Sequence, residues 1–143
     1  MMTPYVLQLI PEEDVVLFEK VREVVQALPD IPLGGDRAVS CHILARSLAR
    51  FFPVEYHDGY FCRRYRHSWL LTRNNHIIDP YPIAMFGGPV LLYYAPSVLS
   101  PWRQLYKEAR LRDLELEGEM LLADVQRVVH ALEEIMQKLC IAV

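Results

Sequence analysis

Three residues of the chain have side chains that together could perform thiol catalysis: Cys41, His67 and Asp79. The nucleophilic form of cysteine is the thiolate, which a helix N-terminus stabilises with unpaired N–H groups and a positive dipole end. Ser40 is a favourable N-cap residue, so we predict that a helix begins at Cys41. The backbone N–H of Cys41 then becomes a candidate donor to the oxyanion that forms when the thiolate attacks a carbonyl carbon.

A general base must reach the Cys41 sulfur, and the sequence offers two histidines for this role. His42 is expected to point away from Cys41, because consecutive residues of a helix diverge by about 100°. His67 lies far enough along the chain for a helix, a strand and a return, and it would open a strand that holds its ring firmly. We therefore assign proton transfer to His67 rather than to His42.

Asp79 is the residue that would orient the His67 ring, and its position depends on the loop between two predicted strands. A two-residue loop at Asn74-Asn75 would place Asp79 on the sheet face opposite His67. A three-residue loop at 73–75 would pair Trp69 with Asp79, which would make His67 and Asp79 diagonal neighbours on one face. The sequence therefore predicts an odd-numbered loop or a bulge.

Apolar periodicity places helices at both ends of the chain and strands between them, which predicts the α+β class. We expect a single domain over residues 1–143, with a core over about 36–95. Asp58-Gly59 predicts a bend or bulge within the first strand. The predicted elements are an N-terminal helix over about 12–28, a helix from Ser40 to Phe52, strands over 54–61, 67–72, 76–79 and 90–94, and a helical region over about 100–140.

The segment SCHILARSLARFFPVEYHDGYFCRRYRHSWLLTRNNHIIDPYP, residues 40–82, resembles the core of the transglutaminase-like branch of the papain-like cysteine enzymes. Members show a cysteine that opens a helix, a histidine followed by a small residue and tryptophan, and an aspartate that ends the next strand. The matching residues here are Cys41, His67-Ser68-Trp69 and Asp79. The compact spacing is also similar to small bacterial peptidases that remove the leaders of lasso-peptide precursors.

This resemblance implies a papain-like core, in which the catalytic helix packs on a small antiparallel sheet, with flanking N- and C-terminal helices. It also implies hydrolysis or transfer of an amide or acyl group through a thioester, on a peptide or protein substrate, without a metal or cofactor. The long C-terminal helical region is not part of that core, and its amphipathic surface is a candidate binding site for a protein partner.

Several neighbouring residues are candidates for supporting roles. Ser40 and Trp69 would form part of the wall of the site, although Trp69 also suits simple packing. Arg66 belongs to a basic cluster beside His67 that is either a solvated loop or a means of selecting an acidic substrate. The sequence gives no clear second oxyanion donor, and Asp36 or a tyrosine of the sheet is the alternative.

Other interpretations of the same residues remain open. Cys41 could be a small buried apolar residue, and His67 and Asp79 a core histidine and a turn residue, in a non-catalytic module that binds another protein. The three side chains are also suitable zinc ligands. A deamidase that acts on a partner protein would have the same site as a peptidase.

Charge and cysteine content narrow the class of protein. The net charge of -3 and the pI of about 5.9 give no basic footprint for nucleic acid. Three cysteines without paired spacing indicate reduced thiols in a cytoplasmic protein. The sequence has neither a secretory signal pattern nor an apolar run long enough to cross a bilayer, so we expect no membrane partner.

Overall fold

The computed structural model describes residues 10–28, 40–81, 89–92, 103–109 and 119–141. Helices flank an antiparallel sheet in these ranges, which confirms the α+β class. The helices are α1 (Glu12–Ala27), α2 (Cys41–Leu48) and α3 (Glu119–Leu139), with a 3-10 turn at Arg103–Leu105. The strands are β1 (Val54–Phe61), β2 (Tyr65–Thr72), β3 (Ile77–Asp79), β4 (Val90–Leu92) and β5 (Tyr106–Glu108).

The sheet has the strand order β4-β3-β2-β1-β5, so β2 lies at its centre. The β1–β2 ladder runs without interruption from the pair Val54 and Thr72 to the pair Phe61 and Tyr65. The predicted bend or bulge at Asp58-Gly59 is therefore wrong. Gly59 is instead required because β5 approaches closely: a Cβ atom at Gly59 would lie 1.9 Å from the carbonyl oxygen of Lys107.

The loop between β2 and β3 has the parity that the sequence predicted. Leu70 pairs with Ile78, and Leu71 pairs with Ile77. The Thr72 N–H donates to the His76 carbonyl oxygen over 2.8 Å, which leaves a three-residue loop at 73–75. Continued by one residue, this register sets Trp69 opposite Asp79, so the odd-numbered loop is confirmed.

The two faces of the sheet carry separate apolar clusters, as the alternation of strand side chains requires. Leu70 and Ile78 pack with the three helices, including Leu48 of α2 and Leu132 of α3. The other face is formed by Phe61, Trp69, Ile77, Val90, Leu92 and Tyr106. By the same alternation, His67 and Asp79 belong to this second face and Ser68 belongs to the helix face.

Two predicted elements end or fold differently from expectation. The α2 helix ends at Leu48 rather than Phe52, because the chain tightens there into a turn in which the Phe51 N–H donates to the Leu48 carbonyl oxygen over 3.0 Å. The helical prediction over 100–140 is wrong at Tyr106–Glu108, which pairs with β1 as strand β5. Residues 36–39 and 93–102, also parts of predicted elements, lie outside the described residues.

None of the helices in the described ranges is both long enough and apolar enough to span a bilayer.

Candidate functional site

Cys41 occupies the first position of α2, as predicted. The Ser40 hydroxyl accepts the Ile43 N–H over 3.3 Å, and the Ser40 carbonyl accepts the Leu44 N–H over 2.9 Å, which confirms Ser40 as the N-cap. Cys41 is buried, with 8% of its surface exposed. Its thiol therefore lies at the positive end of a capped helix, where the N–H groups of the first turn have no partner within the helix.

The structure brings the three predicted residues together. The Nε2 atom of His67 lies 2.7 Å from Oδ2 of Asp79. The His67 ring and the Cys41 thiol are close enough for each to shift the pKa of the other through hydrogen bonding and charge. Because Nε2 is committed to Asp79, Nδ1 is the nitrogen left for the sulfur.

Asp79 is fully buried. Besides His67, its Oδ2 accepts the Tyr106 hydroxyl over 2.6 Å, and its Oδ1 accepts the Tyr81 N–H over 3.1 Å. These three donors compensate for the loss of water around the carboxylate. Tyr106 was missed from the sequence because its segment was predicted to be helical.

The pKa values of Cys41 and His67 shift in opposite directions. Burial favours a raised Cys41 pKa, but hydrogen bonds with His42 and His67 and their charges lower it from 9.0 to about 6. Burial favours a lowered His67 pKa, but hydrogen bonds with Asp79 and Cys41 and their charges raise it from 6.5 to about 9. At neutral pH these shifts favour a thiolate paired with an imidazolium ion.

Aromatic rings surround the His67 imidazole. Trp69 stacks on it with the ring centres 6.2 Å apart and an angle of 29°, and Phe61, Tyr81 and Tyr106 approach from other sides at 6.0, 6.3 and 6.1 Å. Trp69 is only 3% exposed and belongs to the second apolar cluster. These rings keep water from the His67–Asp79 pair, which strengthens its electrostatic interaction.

The prediction that His42 points away from the thiol is wrong. Hydrogen bonding and charge from His42 lower the Cys41 pKa, and Nδ1 of His42 lies 2.7 Å from the Ser68 hydroxyl oxygen. The argument from helix geometry considered only where the two Cβ atoms point. It ignored the reach of the imidazole ring and the hydroxyl that β2 offers to hold it.

The residues predicted to support the site differ in their contacts with Cys41, His67 and Asp79. Ser40 caps the helix that carries Cys41, and Trp69 packs on the His67 ring. Arg66 has an exposed side chain and precedes His67 on β2, where alternation turns it toward the other face. Asp36 lies outside the described residues.

The zinc alternative does not fit this geometry. Within the described ranges, no three His, Cys, Asp or Glu side chains are arranged to hold a metal ion. Cys41, His67 and Asp79 form a linear chain of hydrogen bonds, in which Oδ2 of Asp79 is occupied by His67 and Tyr106. Metal ligands would instead have to converge on one point.

Comparisons with family models, with curated proteins and with solved structures found no match to this chain.

Proposed function

We propose that this chain is a thiol-dependent hydrolase or acyltransferase that acts on the carbonyl group of a peptide or amide bond. The observation that carries the proposal is the order of contacts: a thiol at a capped helix start meets an imidazole, and that imidazole meets a fully buried carboxylate. The resemblance of residues 40–82 to transglutaminase-like cysteine enzymes supports the same chemistry. Cys41 is the nucleophile, His67 carries the proton and Asp79 orients the ring.

In the first step, the Cys41 thiolate attacks the carbonyl carbon and a sulfur–carbon bond forms. The negative charge moves to the carbonyl oxygen in a tetrahedral intermediate. The His67 imidazolium then gives its Nδ1 proton to the leaving amine as the carbon–nitrogen bond breaks. A thioester on Cys41 and a neutral His67 remain.

In the second step, neutral His67 takes a proton from water or from an acceptor amine, which attacks the thioester carbonyl. The sulfur–carbon bond breaks and Cys41 leaves as the thiolate. His67 keeps the proton as an imidazolium ion beside Asp79. Water as the attacking group gives hydrolysis or deamidation, and an amine gives acyl transfer.

Two groups supply the oxyanion donors in this proposal. The first is the Cys41 backbone N–H at the helix start. The second is the Tyr81 hydroxyl, whose pKa is raised by burial and by the charge of Cys41. Tyr81 therefore stays protonated at neutral pH and remains a hydrogen-bond donor. It follows β3 rather than lying in the sheet, where the sequence placed the candidate tyrosine.

The proposal is tested by alkylating the full-length protein with iodoacetamide from pH 5 to pH 10. The modification at each cysteine is then quantified by peptide mass mapping. We expect the alkylation rate of Cys41 to rise with a midpoint near pH 6, because its pKa is lowered to about 6. Cys140 is exposed and is the internal reference.

A non-catalytic binding module would give a different result. Its Cys41 would be an unreactive buried thiol, and a Cys41 midpoint at or above that of Cys140 would remove the enzyme assignment. A stoichiometric thiol-directed peptide inhibitor gives a second test. It should label the wild type once, at Cys41, and the Cys41→Ala variant should take up none at the same concentration.

A further inference from the structure

A second chain of hydrogen bonds starts beside Cys41, on the helix face of the sheet. His42 Nδ1 lies 2.7 Å from the Ser68 hydroxyl oxygen, and that hydroxyl donates to Oδ1 of Asp58 over 2.5 Å. Because the hydroxyl proton of Ser68 is directed at Asp58, its oxygen acts as an acceptor toward His42. Nδ1 of His42 therefore carries a proton, and in the neutral ring the lone pair is on Nε2.

Arg46 closes this chain from the next turn of α2. Its guanidinium donates to Oδ2 of Asp58 over 2.7 Å, to the His42 carbonyl oxygen over 3.1 Å and to the Ser68 hydroxyl over 3.5 Å. The Arg46 and Asp58 side chains are each only 8% exposed, and the Tyr56 ring covers the guanidinium at 4.4 Å. A buried ion pair requires such additional hydrogen bonds to offset its desolvation, and this one has them.

The two chains of hydrogen bonds pass through consecutive residues of β2, His67 and Ser68. His67 points to the second face of the sheet and contacts Asp79, whereas Ser68 points to the helix face and contacts Asp58. Both imidazoles lower the pKa of the Cys41 thiol through hydrogen bonding and charge. Each ring is held by a group of the sheet, His67 by Asp79 and His42 by Ser68.

We propose that His42 is a second proton acceptor for the Cys41 thiol, and that Ser68, Asp58 and Arg46 are positioning residues that hold its ring. The thiol proton moves to Nε2 of His42 as an alternative to Nδ1 of His67, and either transfer leaves a thiolate beside an imidazolium ion. This inference rests on the proposed function and deepens it. The charged and titratable groups that face the pair from the neighbouring elements are Arg46 of α2, Asp58 of β1, His67 of β2, Asp79 of β3 and Tyr81.

The consequence is that loss of His67 alone does not return Cys41 to an ordinary thiol. In His67→Ala, His42 can still accept the proton of the Cys41 thiol, so the alkylation midpoint of Cys41 should stay below that of Cys140. In His42→Asn, we expect the midpoint to rise by about one pH unit, which lowers the alkylation rate at pH 6 by about fivefold. In the double variant, the Cys41 midpoint should rise well above that of either single variant, because both imidazoles that lower the thiol pKa are then lost.

The positioning role has its own test, which a merely structural role would not satisfy. Ser68→Ala should move the midpoint of Cys41 in the same direction as His42→Asn. It should cause no further shift when His42 is already Asn, because its effect passes through that ring. Ser68→Thr keeps the hydroxyl and should restore most of the wild-type profile. Unfolding curves for every variant establish that the shifts come from folded protein.

The outcomes separate this inference from the proposed function. A wild-type midpoint near pH 6 that is unchanged in both His42→Asn and Ser68→Ala would overturn the second acceptor and leave His67 as the base. A double variant that matches His67→Ala would overturn it as well. A wild-type Cys41 that titrates as an ordinary thiol would overturn both proposals.

Discussion

At the level of single residues, the electrostatics of the site depend on Asp79, which is fully buried. A carboxylate in that position is stable only if each oxygen is hydrogen-bonded. The Tyr106 hydroxyl and the His67 ring hydrogen-bond to Oδ2, and the Tyr81 N–H donates to Oδ1. The ionised carboxylate in turn favours the protonated form of His67, which raises the His67 pKa and stabilises the thiolate.

Asp79→Asn tests this dependence, because it removes the charge while it nearly keeps the shape. The His67 pKa should fall, the imidazolium should become rarer at neutral pH, and the alkylation midpoint of Cys41 should rise by at least about one unit. Turnover of a peptide substrate should fall by about a hundredfold or more. Both effects are measured against wild type, by the pH profile of alkylation and by product formation.

Tyr106→Phe is a matched variant that removes the second donor to Oδ2 of Asp79. It keeps the ring that packs on Phe61 and Trp69 but removes the hydroxyl donor to Asp79. We expect a loss of about 1 kcal/mol in the free energy of unfolding, and a shift of the Cys41 midpoint smaller than that of Asp79→Asn. A shift as large as that of Asp79→Asn would mean that the hydroxyl, not the carboxylate charge, controls the site.

The sequence could predict the contact of His67 with Asp79 because strand parity is a local property of the loop at 73–75. It could not predict Tyr106, whose contact with Asp79 depends on a strand of three residues that pairs with β1. It also misjudged His42, because the position of that ring depends on Ser68 across the helix–sheet interface. Local patterns place a side chain on a face, but its partners come from packing.

At the level of the elements, the start of α2 determines the environment of the thiol. Ser40→Ala removes the acceptor of the Ile43 N–H, which should cost about 1 kcal/mol of stability and raise the Cys41 pKa. Ser40→Asn should keep the stability and the Cys41 pKa close to wild type, since asparagine is as good an N-cap residue as serine. Urea unfolding and the alkylation profile measure the two effects.

Ser40→Asp distinguishes capping from charge in the same experiment. Aspartate is a good N-cap, so the stability should remain close to wild type. Its negative charge beside Cys41 should nevertheless raise the thiol pKa, which moves the alkylation midpoint upward. An unchanged midpoint in Ser40→Asp would contradict the electrostatic role assigned to this helix end.

The pairing of β1 with β5 is the second element on which the site depends. In Gly59→Ala, the new Cβ atom would collide with the Lys107 backbone, so β5 must shift and Tyr106 moves away from Asp79. We expect a loss of about 2 kcal/mol in unfolding free energy and a higher Cys41 midpoint. Lys107→Ala, which changes only an exposed side chain of the same strand pair, should stay within about 0.5 kcal/mol of wild type. Equal losses in the two variants would exclude backbone contact as the cause.

At the level of the whole molecule, the periodicity of apolar residues was sufficient for the α+β class and for most element bounds. The strand over 54–61 was predicted at the position observed, and the helix Glu119–Leu139 lies within the helical region predicted over about 100–140. The order of strands in the sheet was not predictable, because β5 joins next to β1 from a distant part of the chain. That order is decided by packing between distant segments, such as the fit of β5 against Gly59.

The two pKa shifts act on the stability of the whole fold with opposite signs. The raised pKa of His67 contributes stability below pH 6.5 that is lost as the pH rises toward 9. The lowered pKa of Cys41 contributes stability above pH 9.0 that is lost as the pH falls toward 6. Between these limits the folded protein holds one proton on His67, and the unfolded chain holds one proton on Cys41. The pH dependences of the two contributions therefore cancel, and their sum is constant over this range.

This cancellation predicts that, between pH 6.5 and 9, the Cys41–His67 pair makes the reactivity of the thiol depend on pH but leaves the unfolding free energy independent of pH. The unfolding free energies of wild type and of Cys41→Ala/His67→Ala, measured in urea from pH 6.5 to 9, should differ by an offset that is constant within about 0.5 kcal/mol. The double variant removes both titrating groups and leaves all others, so it corrects for the rest of the protein. If only the Cys41 pKa were shifted, wild type would gain about 1.4 kcal/mol per pH unit relative to this control. If only the His67 pKa were shifted, it would lose that amount, and either slope would contradict a coupled thiolate–imidazolium pair.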